Sequence, residues 1–236
     1  MTRTSAASFT IAGDVTATDW ATLADLATAL GTLVLAIATF SAIRSANKSA
    51  RVAERALMIG LRPLLMQTRR TDQTLKVNFG DNKWLHLPGG GCAAEVGGGD
   101  GTMGPKDGVV YLALPLRNAG SGIAVLHGWI FYPEWHRSDE PPGLEDFQLQ
   151  TRDLYVPPGD IGFWQGALRD PQAAGYQEAV KAIESRQPWT VELLYGDHEG
   201  GQRAITRFTA FPREEKEWIA SQSRHWYIDR PDPRRA

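Results

Sequence analysis

Apolar residues are spread unevenly along this 236-residue chain. From Leu26 to Ile43 the run LATALGTLVLAIATFSAI carries no charge for eighteen residues, and only Asp25 is charged if the stretch is extended back to Trp20. A bilayer core of about 30 Å needs roughly 20 helical residues, so this run is long enough to span. A buried soluble helix of that length would keep a polar stripe, and a signal peptide would carry its positive charge ahead of the apolar core. The A-x-A at Ala36 and Ala38 keeps a cleavable signal open as an alternative. The pattern predicts a short extracytoplasmic tail over 1–19 and a transmembrane helix over 20–43.

Beyond the span, no proline and no glycine before Gly60 interrupts the chain until Arg62-Pro63, which predicts a juxtamembrane helix over 44–61. Arg44, Lys48, Arg51 and Arg55 share one face of it, and Ile43, Ala46, Ala50, Ala53 and Leu57 share another. The four cations suit anionic lipid heads, and their excess over the lone Arg3 before the span places the N-terminus outside and the rest in the cytoplasm. Within the span, Ala24, Thr28, Thr32 and Ala36, with Ala27 and Gly31, put small residues at four-residue spacing, which lets two helices approach closely in lipid. Alanine and threonine also simply fill weakly hydrophobic spans, so self-association and plain tethering both stand.

After Pro63 the helical period gives way to short strand-like runs at 64–70, 74–79, 84–87, 109–117, 123–132, 147–156, 161–168, 189–195 and 203–211. Trp189, Val191, Leu193 and Tyr195 alternate with Thr190 and Glu192, as in a half-buried strand. The runs at Val109 and Ile123 are apolar on both faces, as in central strands, while Pro115 calls for an edge or a bulge. The expected fold is therefore mainly β, an immunoglobulin-like β-sandwich over 62–212. One inserted helix over 171–186 is expected, with Asp170 as N-cap, Pro171 in the first turn and an apolar face of Tyr176, Ala179, Val180 and Ile183. The glycine-rich 89–108 reads as a mobile loop, and 213–236 as a C-terminal helix, Arg213 to Gln222, followed by a tail bearing Trp226 and Tyr227. That tail suits either a membrane or partner surface or its own domain.

Twenty-five basic and 27 acidic residues give a net charge of -2, without the basic field that draws nucleic acid. The single cysteine, Cys92, excludes an internal disulfide. The mean hydropathy of -0.30 averages the apolar span with a polar remainder. The glycine-rich segment lacks the lysine and hydroxyl of a phosphate-binding loop, and its GGGDG is one copy of what calcium-binding repeats need in series. No two of the five histidines stand at a metal-binding spacing, and no nucleophile elbow or zinc-binding helix motif is present. No catalytic residue, metal or cofactor is therefore expected. His127, in step with Val125, Trp129 and Phe131, reads as a hydrogen-bonded core histidine.

The run Asn118-Ala119-Gly120-Ser121-Gly122-Ile123-Ala124 reads as a tight connection in which the glycines supply positive φ and close backbone approach. With Arg62-Pro63-Leu64, and with Tyr195-Gly196-Asp197 and Gly200, it resembles uncharacterised bacterial single-span membrane-anchored proteins carrying R-P-x-L, L-x-N-x-G-x-G-x-A and Y-x-D-x-x-G. The resemblance implies a β-sandwich at the bacterial plasma membrane and no particular activity. The leading expectation is a membrane-tethered, non-catalytic interaction module that binds a protein partner or its own copies. Two alternatives are an accessory subunit of a larger membrane complex, and a small-ligand or metal-dependent enzyme using His136 and Asp197 to Glu199.

Overall fold

The computed structural model describes residues 17–97, 108–173, 175–213, 217–232 and 234, and divides into two units, Met1–Arg55 and Ala56–Ala236. The first unit is helix α1 (Ala17–Gly60) up to Arg55. Among the described residues one helix, Trp20–Gly60, is long and apolar enough to cross a membrane. No break in α1 marks the expected boundary at Ile43. The expected tail over 1–19 lies mostly outside the described residues.

Among the described residues the second unit contains eleven strands: β1 (Leu65–Gln67), β2 (Leu75–Asn78), β3 (Trp84–Leu87), β4 (Gly91–Gly97), β5 (Val109–Asn118), β6 (Ala124–Tyr132), β7 (Gln148–Val156), β8 (Ile161–Leu168), β9 (Trp189–Gly196), β10 (Arg203–Pro212) and β11 (Trp218–Tyr227). All of the ladders are antiparallel. Nine strands follow the order β1-β5-β4-β11-β10-β9-β6-β7, with β8 on the other edge of β5, and β2 and β3 form a separate hairpin. The sheet curls until β7 meets β8, where Gln150 Nε2 donates to the Gln165 carbonyl at 3.1 Å. The domain is mainly β as expected. The ladder order gives a curled half-barrel and does not establish an immunoglobulin-like sandwich.

The inner face is packed by Trp129, Trp164, Trp189, Tyr195, Phe208 and the aliphatic residues around them. Strand β5 is apolar on both faces because each is covered. Val110, Leu112, Leu114 and Leu116 face the inner core, while Val109, Tyr111 and Ala113 pack under the β2-β3 hairpin with Val77, Phe79, Leu85 and Leu87. Pro115 resolves differently from expectation, because its strand is interior. On one edge β4 pairs Val109 to Ala113 and β1 pairs Leu116 to Asn118, and Pro115 falls in the gap, where no ladder N–H is needed.

Four expectations are corrected. The supposed loop at 89–108 begins with a strand: β4 buries Cys92 and Ala94 and pairs Ala93 to Gly97 with β5. Its small side chains hide an alternation that larger ones would have shown, while 98–107 lies outside the described residues. Of the helix expected over Arg213 to Gln222, 214–216 lie outside the described residues, and from Trp218 on the chain is instead β11, whose Trp218 and Ala220 enter the core. A register shift opposite Arg207 and Phe208 breaks the alternation that would have identified it. Helix α2 (Tyr176–Glu184) begins later than expected, capped by Gly175 at φ +80°. Asp170 instead closes a turn by accepting from the Gln172 N–H at 2.9 Å. His127 occupies a bulge between Leu126 and Gly128, so the inward set switches from Ala124 and Leu126 to Trp129, and His127 is half-buried rather than a core residue.

Candidate functional site

Within the first unit, Arg44, Lys48, Arg51 and Arg55 are all exposed. At about 100° per residue, Thr28, Thr32, Ala36, Ile43, Ala46, Ala50 and Ala53 fall within an arc of roughly 100°, and the four cations lie about 140° away. One continuous helix thus joins the small-residue face of its apolar stretch to the small apolar face that follows it. Ala24 borders this arc, and Ala27 and Gly31 lie further round the helix. The hydroxyls need no outside partner: Thr28 donates to the Ala24 carbonyl at 2.8 Å and Thr32 to that of Thr28 at 2.7 Å.

In the second unit the turn motifs, far apart in sequence, converge on the segment Met58 to Leu64. Asn118 is fully buried and makes four side-chain hydrogen bonds. Its Oδ1 accepts from the N–H groups of Leu64 (3.1 Å) and Gly120 (2.9 Å), and its Nδ2 donates to the carbonyls of Gly122 (2.7 Å) and Val156 (2.9 Å). A Cβ on Gly120 would stand 2.4 Å from the Arg62 carbonyl oxygen, and one on Gly122 1.7 Å from that of Leu61. Close backbone approach is therefore what both glycines provide. Neither has a positive φ, contrary to the sequence reading.

The late turn closes the other side. Asp197 is buried and accepts from the Gly201 N–H at 2.8 Å, and Gly200 takes φ +75°. Gln202 donates to the Met58 carbonyl and accepts from Arg62 Nε at 3.0 Å. The Arg62 guanidinium also lies 4.6 Å from the centre of the Tyr227 ring. Its backbone carbonyl meanwhile accepts from Ser121 and Gly122. Arg62 therefore bridges both turns, and the motif residues form a collar around the end of α1.

A polar chain runs inward from there. The Leu65 N–H donates to the Tyr195 hydroxyl at 3.1 Å, which pairs with Thr206 Oγ1 at 3.0 Å, which in turn meets His225 Nδ1 at 2.9 Å. Burial, then the charges of Arg234 and Arg62, push the His225 pKa down to about 4.

The other concentration of polar groups is on the outer face of β9 and β10. Glu192 is fully buried and Arg207 is 3% exposed. Arg207 Nε donates to Glu192 Oε1 at 2.7 Å and its Nη1 to the Ser138 carbonyl at 2.8 Å, while the Tyr132 hydroxyl donates to Glu192 Oε2 at 3.0 Å. His136 stacks on Tyr132 with ring centres 3.9 Å apart, and its backbone N–H donates to Thr190 Oγ1 at 3.1 Å. Burial, then the Arg207 charge, lower the His136 pKa, favouring a neutral ring. Above the pair opens a cavity of about 390 Å³ lined by Trp135 to Asp139, Arg207, Ser223 and Arg224. Arg137 lies 3.6 Å above the Trp135 ring, and Asp139 forms an ion pair with Arg224.

Sequence reasoning singled out only His136 among these residues. Glu192 and Arg207 occupy outward positions of two strands, where a charge ordinarily meets water, and the covering segment had no recognisable period. The loop ends invoked for an enzyme are not brought together. His136 sits at the Thr190 end of β9 and Asp197 follows its Gly196 end, six residues or about 20 Å along the strand. His198 pairs with its neighbour Glu199 on the surface. Among the described residues no group of three or more His, Cys, Asp or Glu side chains is arranged to hold a metal ion. Compared with family models, with curated proteins and with solved structures, the chain matches none.

Proposed function

We propose that the chain is a membrane-tethered, non-catalytic interaction module, anchored by one pass of α1 in a bacterial plasma membrane. Its N-terminus lies outside and its β domain in the cytoplasm. The observation that carries this reading is α1 itself, whose apolar side chains from Trp20 to Ile43 are exposed and are followed by the cations Arg44, Lys48, Arg51 and Arg55. Exposed apolar surface of this extent needs lipid or a partner to cover it, and a cationic end resists translocation. The resemblance to membrane-anchored proteins gains a physical content here, because its shared motifs build the collar that holds the last turn of α1. The sandwich reading goes with it: the narrow β4-β11 contact, two residue pairs, divides the sheet into halves sharing one core.

The continuous small-residue face of α1 supports self-association as the first partner. Single cysteines test both points in membranes, because Cys92 is buried, with its thiol pKa pushed up by burial. S5C is expected to react with an impermeant maleimide in intact cells, and D153C only after permeabilisation; the reverse pattern refutes the orientation. A36C and A46C should crosslink two copies while K48C, on the cationic face, should not. Equal crosslinking at all three would count against a specific helix face, and crosslinks solely to a different protein would favour the accessory-subunit alternative.

A further inference from the structure

On α1 a groove of about 420 Å³ is lined by Phe40, Arg44, Asn47, Lys48 and Arg51. Their spacing places all five within an arc of roughly 100° on one helix face. All five are exposed, Phe40 by 68%. Of the four cations on the stripe, Arg55 alone stays outside the groove. No Asp or Glu occurs from 26 to 53, and the nearest acid is Glu54. Among the described residues none of the three groove cations forms an ion pair. Four cations against the single Glu54 leave the segment 44–55 with a charge of +3.

The axial order of these residues matches the layers of a lipid. At 1.5 Å per residue, Phe40 lies about 4.5 Å before Ile43, where the apolar run ends, and Arg44, Asn47, Lys48 and Arg51 lie about 1.5, 6, 7.5 and 12 Å past it. The head-group layer is about 5–7 Å deep on each side of a hydrocarbon core. Helical side chains lean about one turn toward the N-terminus, which returns the Arg51 guanidinium to that layer and leaves that of Arg55, about 18 Å out, beyond it. We infer that the groove holds the phosphodiester head of one anionic phospholipid. Arg44, Lys48 and Arg51 surround the phosphate, the Asn47 amide donates to it, and the Phe40 ring rests against the start of the acyl chains. A choline or ethanolamine head carries its own cation beside the phosphate, which the +3 segment repels, so a head without one, as in phosphatidylglycerol, is preferred. The groove lies about 120° around the helix from the small-residue face, which leaves that face free for a second copy. This inference rests on the membrane pass proposed above and adds a ligand to it.

The test reconstitutes the full chain in phosphatidylcholine vesicles containing a trace of spin-labelled phosphatidylglycerol or spin-labelled phosphatidylcholine. Electron paramagnetic resonance then reads the fraction of each label that the protein immobilises. Phosphatidylglycerol is expected to be preferred. A cation at a lipid surface is worth about a fivefold change in affinity, so R44Q, K48Q and R51Q should each lower the preference about fivefold. R55Q, the same charge change one turn past the groove, should leave it within twofold. An equal loss in R55Q would mean diffuse attraction to the whole stripe and would overturn the site. Release of the immobilised phosphatidylglycerol by inorganic phosphate, or by a peptide of alternating Glu and Leu, would overturn the lipid as its occupant. Equal immobilisation of the two lipids refutes the site and leaves the membrane pass standing, whereas immobilisation of neither refutes the pass itself.

Discussion

Replacing Asn118 by Ala deletes four hydrogen bonds at one buried point and leaves two N–H groups and two carbonyls of the collar without their partner. At a net 0.5–1.5 kcal/mol each, the loss is about 2–6 kcal/mol, a large fraction of the roughly 5–15 kcal/mol that holds a domain folded. Seven of the eight tryptophans lie in the second unit, and Trp164 and Trp189 are buried, so tryptophan fluorescence in micelles follows the β domain. With a urea m-value of about 2 kcal/mol/M, a 4 kcal/mol loss moves the midpoint down by about 2 M. Asn118→Asp keeps the oxygen that accepts from the Leu64 and Gly120 N–H groups but sets a carboxylate against the Gly122 and Val156 carbonyls, and should be at least as damaging at pH 7. A midpoint shift below about 0.3 M for Asn118→Ala, less than the lower bound for even two of these bonds, would refute the role of Asn118 as the centre of the collar.

Gly122→Ala should cost more than about 2 kcal/mol because its Cβ has no room beside Leu61, whereas Gly80→Ala, with nothing within 4 Å, should change the urea midpoint by less than the equivalent of about 0.5 kcal/mol. Arg207→Met strands the buried Glu192 carboxylate and is expected to destabilise by about 3–5 kcal/mol, with the Glu192→Met/Arg207→Met double variant recovering most of it; additive losses in a double-mutant cycle would refute the pairing. The folded pKa of His225, about 4, lies below its ordinary 6.5, so the unfolded chain binds the extra proton first. This contribution is fully present above pH 6.5 and is lost as pH falls toward 4, up to about 3 kcal/mol. His225→Gln should flatten that segment of a urea-midpoint-against-pH curve, and an unchanged slope would show that another group carries it.

Much of the domain was legible because its strands alternate or are apolar on both faces. Strands β2, β3, β5 to β10 fall at or within one or two residues of the runs expected from the sequence. The failures share a cause. β4 is built of Gly, Cys and Ala, whose small side chains pack well but carry little hydrophobic signal. β11 and β6 contain register shifts that reverse which alternate residues face inward, so Trp218 and Trp226, on one strand, join separate clusters. The cap of α2 was misplaced because Asp170 is equally able to close a turn, and sequence alone does not choose between a cap and an Asx turn.

The two candidate regions differ in legibility for a related reason. The collar could be recognised as turns, since Asn118, Gly120, Gly122, Asp197 and Gly200 are unusual residue types for their positions, but not as one assembly, since each turn is satisfied within its own short segment on paper. What joins them is Arg62, whose carbonyl meets the Gly122 loop while its guanidinium meets Gln202. An arginine just after a long apolar helix is ordinarily read as a topological charge, and here it serves as a structural bracket. The arginine cavity inverts that case. Glu192 and Arg207 sit where alternation predicts solvent, and they become buried only because residues 133–139 cross the sheet and supply the Ser138 carbonyl and the His136 ring. A charge on the outward side of a strand is thus ambiguous until the segment above it is known. In this domain that ambiguity separates an ordinary solvated surface from its most concentrated cluster of buried polar groups.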